Sequence, residues 1–144
     1  QSMSQEVLEL VEKKLYFSLV YSRFAMDEGW EHQIDEIKFG LPWVLHCFLP
    51  KQIREEQIKK CASHGCTSND TAFKDIGTWL QRVTEVLGDK PFLFGEEPRV
   101  ADCSLFGFLV LAKGSHHENP LTSAVRENNR LMDFLARMTT LLEK

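Results

Sequence analysis

The sequence has no uninterrupted apolar run of the roughly 18–20 residues that a membrane-spanning helix needs, so no membrane span is expected in this chain. It has no basic stripe either. Seventeen Lys and Arg stand against 21 Asp and Glu, a net charge of −4, and a nucleic-acid partner is not expected. Cysteine is sparse. The four thiols, Cys47, Cys61, Cys66 and Cys103, lie within helical patterns. A chain with an ordinary core needs no covalent staples, which points to a reducing, cytoplasmic setting. No segment alternates strictly in steps of two, which excludes a sheet as the framework. The "PFLF" of Pro91–Phe94 is at most one short extended piece.

What is present is helical periodicity. Val7, Leu8, Val11, Leu15 and Leu19 recur at three- and four-residue steps and predict a first helix over about residues 5–27, ending near Gly29. A second spans roughly 33–49, kinked by Gly40 and Pro42 and stopped by Pro50. A polar helix over 53–63 is broken by Gly65. Ser68 or Asn69 caps the next, whose stripe runs from Ala72 to Leu87 and closes at Gly88. Further helices are read over 100–113, 121–127 and 131–142, with 114–120 as a loop. The expected fold is all-α. A length of 144 residues at 43% apolar content suits one domain, read as 4–144, with 1–3 set aside as the remnant of a cleaved tag.

The helix opening at Val100 is apolar on nearly every side and is placed at the centre of the bundle. Asp102 stands in its first turn, where a carboxylate meets unpaired N–H groups and the positive end of the helix dipole. With Arg99 as N-cap, Asp102 is the N3 residue and reaches back to the Arg99 N–H, one half of a capping box. Arg99 supplies no acceptor for the other half. Asp102 is therefore assigned as a structural cap together with Arg99, and no catalytic residue is assigned. Gly107 is read as the point of close approach of another helix. Cys61, His64 and Cys66 in "CASHGC" are read as helix-end residues, with no metal ligand assigned. His116 and His117 are placed on a solvated loop, and Arg23 is paired with Asp27 at i, i+4.

"LGDKPFLFGEEPRVADCSLFG" (Leu87–Gly107) resembles the signature of the C-terminal, all-helical domain of cytosolic glutathione transferases. The family's capping-box Asp falls on Asp102, and its Ser or Thr falls on Arg99. The finer resemblance, carried by Leu87–Gly95, Pro98, Ala101, Asp102, Phe106 and Gly107 and by "LYFSLVYSRF" (Leu15–Phe24), is to the metaxin and failed-axon-connections branch.

That resemblance implies a partner, an N-terminal thioredoxin-like domain that would carry the glutathione site and is absent from this chain. It implies no cofactor in the fragment, and glutathione for the full-length parent if that parent is active. It also implies that the first helix faces the missing domain and lines the acceptor-substrate cleft, which assigns Tyr16, Tyr21, Arg23 and Trp30 to substrate binding. An apolar patch near Tyr16 and Leu19 would be left exposed, through which the chain could form a homo-oligomer. The implied function is a binding or scaffold module. The alternatives are the acceptor-substrate domain of a working transferase that conjugates glutathione to small electrophiles, and an isolated helical interaction domain. The implied location is cytoplasmic, with association to the mitochondrial outer membrane as the alternative.

Overall fold

A computed structural model describes residues 2–144. The first helix, α1, is continuous over residues 3–25 but changes winding twice. Met3–Glu9 and Tyr16–Val20 are α-helical, and Leu10–Leu15 and Tyr21–Ala25 are π-helical. Its buried stripe explains the widening. Val7, Val11, Leu15 and Leu19 are all at most 2% exposed and stand strictly four apart. In a helix of 3.6 residues per turn, each four-residue step drifts by about 40°. A π-segment removes that drift and keeps the stripe on one face. Ser2 caps the helix through a reciprocal box with Gln5, so two of the three residues set aside at the start take part in the fold. Gln1 lies outside the described residues.

The helix ends at Met26, whose backbone is extended, and α2 follows over Asp27–Phe39. Gly29 therefore does not end α1. It lies in the first turn of α2, where a Cβ would fall 1.9 Å from the Ser22 carbonyl oxygen. A 3-10 turn, Trp43–Leu45, leads to α3, Leu49–Ser63. Pro50 opens α3 rather than closing the helix before it, because its missing N–H is one of the helix's orphan donors in any case. The helix expected up to Leu87 is interrupted, giving α4 over Asn69–Phe73 and α5 over Ile76–Leu87. Ser68 caps α4, and Gly88 ends α5 with a positive φ of 55°. The remaining helices are α6, Val100–Lys113, α7, Pro120–Glu127, and α8, Asn129–Leu142. The "PFLF" piece forms only a tight Phe92–Gly95 bridge. The fold is all-α.

Helix α6 packs against α1, α7 and α8, and its inner face holds Ala101, Leu105, Phe108, Leu109 and Ala112. It is the hub of the core, but one stripe faces outward. Val100, Val110 and Leu111 are 74%, 44% and 43% exposed, and Cys103 and Gly107 lie on the same side. The expectation that Gly107 admits a close helix is therefore corrected: a Cβ there would meet nothing within 4 Å. The accessible surface is 8472 Å², against about 7,600 Å² for a compact monomer of this mass. That excess matches the presence of uncovered apolar faces.

Candidate functional site

The outward stripe of α6 borders a groove against α1. Val11, Glu12, Tyr16, Leu19, Ser104, Phe108 and Leu111 line a cleft of ≈ 320 Å³. The four-residue spacing of α1 places Val11 and Leu19 in its floor. Tyr16, 43% exposed, stands at its edge with its ring edge-on to Phe17 at 5.3 Å. The Ser104 hydroxyl donates to Glu12 Oε1 at 2.7 Å, which ties the two helices together across the cleft. Apolar walls with little polar relief suit a hydrophobic occupant. Among the described residues lining the groove, the one charged side chain is the anionic Glu12.

The four residues assigned to substrate binding do not converge. Tyr16 alone lines the groove. The Tyr21 hydroxyl donates to Asn69 Oδ1 at 3.0 Å, and its ring meets Phe73 edge-on. Burial, with the thiols of Cys61 and Cys66 nearby, raises the Tyr21 pKa above 10.0. Arg23 does not pair with Asp27. Its guanidinium donates to the Leu111 carbonyl at 3.0 Å and to Gln33 Oε1 at 3.4 Å, locking the end of α1 onto α6. Asp27 is taken by Arg54 at 2.9 Å, which also donates to the Phe24 and Ala25 carbonyls and lies over the Trp30 ring. Sequence spacing favoured the i, i+4 pair, but Arg54 wins because it also satisfies the orphan carbonyls at the end of α1.

Asp102 is fully buried. Its Oδ2 accepts the Arg99 N–H at 2.8 Å, and its Oδ1 accepts the Leu93 N–H at 2.8 Å. The carboxylate thus caps α6 and also pins the connector that leads into it. Arg137 holds the same connector from α8 by donating to the Pro91 carbonyl at 2.6 Å. The Leu93 partner was out of reach of sequence reasoning, since only the folded turn brings it to Asp102.

Cys61 is buried, with its thiol 3.8 Å from the Phe17 carbonyl. Desolvation, with Cys66 close by, pushes the Cys61 thiol up to about 11. The His64 ring stacks on Phe17 at 3.7 Å. Among the described residues, no group of three or more His, Cys, Asp and Glu is arranged to hold a metal ion. His116 stacks against His32 at 5.0 Å. His117 is not a solvated tip as expected. It packs against the bare face of Gly29, and its Nε2 and the Arg23 Nε are buried without a protein partner. The cavity between them is ≈ 10 Å³, room for about one water.

Residues 78–138 match the family described as Glutathione S-transferase, C-terminal domain. That span covers most of α5, the connector, α6, α7 and most of α8. Metaxin-2 of Homo sapiens is 26% identical over 136 residues, covering 91% of this chain and 51% of the human protein. Metaxin-2 of Mus musculus is 25% identical over the same coverage. The chain spans about half the length of the curated relatives it matches. No solved structure shows a significant match.

Proposed function

We propose that this metaxin-like helical domain, of the glutathione transferase C-terminal type, is a binding module that seats a partner domain on its α1–α6 face. The observation that carries the reading is the apolar groove edged by exposed Tyr16 and Leu111. Large uncovered apolar patches on a single chain mark interaction surfaces. The occupant favoured by the resemblance is a thioredoxin-like domain encoded in the same polypeptide. In this reading the chain binds and scaffolds, and it contributes no residue that activates glutathione. The four free thiols, two of them exposed, support a reducing, cytoplasmic setting.

The test is titration calorimetry of this chain against the thioredoxin-like domain expressed from the upstream part of its own gene. Micromolar or tighter association, weakened about tenfold or more by Leu111→Asp, is the expected result. Absence of an upstream thioredoxin-like segment, or association indifferent to Leu111→Asp, would overturn it. Glutathione conjugation to a generic electrophile by the assembled pair would favour the acceptor-domain reading instead.

A further inference from the structure

The two most exposed large apolar side chains among the described residues, Phe39 and Trp43, lie far from the groove in sequence, where α2 runs into its connection to α3. Phe39 is 96% exposed and Trp43 79%, with Val44 and Phe48 each about half exposed at 53% and 51%. They are not loose. The His46 Nε2 lies 2.9 Å from the Lys38 carbonyl oxygen and 3.0 Å from that of Leu41, two acceptors to which it can only donate. Backbone bonds from Leu45 to Pro42 and from His46 to Trp43 close the turn. The connection is therefore an ordered projection that holds aromatic rings out in water, where each costs free energy.

Charge selects the occupant. In a chain of net charge −4, no Asp or Glu occurs between Glu36 and Glu55, whereas Lys38, Lys51 and Arg54 do. Arg54 is engaged with Asp27. Lys38 and Lys51 have no ion-pair partner among the described residues. Rings that project singly do not form the packed, shielded centre that a protein partner uses. They do match a fluid interface, where Trp settles at headgroup depth, Phe enters the acyl boundary, and Lys meets anionic headgroups.

We propose that the α2–α3 connection is a lipid-binding prong, with Phe39, Trp43, Val44 and Phe48 entering the interface of an anionic bilayer and Lys38 and Lys51 at its headgroups. It is independent of the α1–α6 groove and does not require that reading.

The test is flotation of this chain with vesicles of phosphatidylcholine alone, or with about a third of it replaced by phosphatidylserine. The chain is expected to float with the anionic vesicles only, and its tryptophan emission to shift to shorter wavelength. Phe39→Ser with Trp43→Ser should cut the floated fraction about tenfold or more. Lys38→Glu with Lys51→Glu should abolish the preference for anionic vesicles. Both double variants should melt as the parent does, because these side chains are exposed. Failure of the parent to float, or equal flotation of the double Ser variant, would overturn the proposal. So would a concentration-dependent dimer dispersed by the same substitutions without vesicle binding, since a second copy would then be the occupant.

Discussion

Asp102 Oδ1 stands 2.8 Å from the backbone nitrogen of Leu93, while Oδ2 stands 2.8 Å from that of Arg99. One buried carboxylate therefore ties the backbone nine residues before it to the first turn of α6. A cap alone is worth about 1 kcal/mol. Here two charge-assisted bonds are made in a fully buried site, and truncation leaves two N–H groups without acceptors. Asp102→Ala should cost about 3 kcal/mol in denaturant unfolding. Asp102→Asn should cost less, about 1–2 kcal/mol, since its one oxygen can serve only one of the two donors. An Asn variant as damaged as the Ala variant would show that charge, rather than the pair of acceptors, carries the effect.

Two glycines inside helices should respond oppositely to alanine. At Gly107 an added Cβ meets open space, so Gly107→Ala should stabilise by about 0.5–1 kcal/mol through helix propensity and a less disordered unfolded chain. At Gly29 the same methyl would lie 1.9 Å from the Ser22 carbonyl oxygen and 2.8 Å from His117 Cε1. Gly29→Ala should destabilise by about 3 kcal/mol, because backbone rather than a flexible side-chain end must move. Thermal melts of the two variants beside the parent decide the point.

Helix periodicity was legible because the apolar steps are regular. The stripes of Val7–Leu19, Ala72–Leu87 and Leu131–Met138 point inward much as their spacing implies, while Leu141 and Leu142, expected on the last stripe, are exposed. The switch to π-winding left no residue-level signal other than the strict four-residue spacing itself. A proline can close one helix or open the next, and only the backbone shows that Pro50 opens α3. The Asp102–Leu93 bond and the Arg23–Leu111 bond join segments brought together by packing, so local spacing could not suggest them. Exposure was also hidden. "FGLPWVLHCFLP" (Phe39–Pro50) has the composition of a core segment, and composition does not tell whether the surface it covers is its own or another's.

The thiols should divide by burial. Cys47 and Cys103 are exposed, and Cys61 and Cys66 are buried. At pH 8 an aromatic disulfide reagent should modify Cys47 and Cys103 at the rate of free thiols and reach the other two only through opening of the fold. Burial raises the Cys61 pKa to about 11 and moves that of Cys66 in the same direction. The folded state thus prefers both as neutral thiols. Their contribution to stability is complete below the unfolded thiol pKa of about 8.5 and is lost as pH rises toward 11. A Cys61→Ser variant should lose less stability than the parent between pH 8 and 10.5, measured by urea unfolding. Rapid modification of all four thiols at pH 8 would contradict the burial on which this rests.

His117 gives the acid side of the same linkage. Desolvation pushes its pKa below the ordinary 6.5, outweighing the nearby carboxylate of Glu28, and His32 and Arg23 add to the lowering. Its Nε2 is buried without a protein partner, so a second proton would place charge against Arg23 in a cavity with room for about one water. A group whose folded pKa is depressed contributes stability above its unfolded pKa, and that contribution is lost as pH falls through the folded value. The parent should therefore weaken as pH drops below about 6.5, and His117→Gln, which cannot titrate, should flatten that part of the profile. Proton NMR of the imidazole C2 positions supplies the second readout, with the His117 resonance titrating below 6.5. A His117 resonance that titrates at or above that value would mean that the ring reaches solvent and that Gly29 is bare for some other reason.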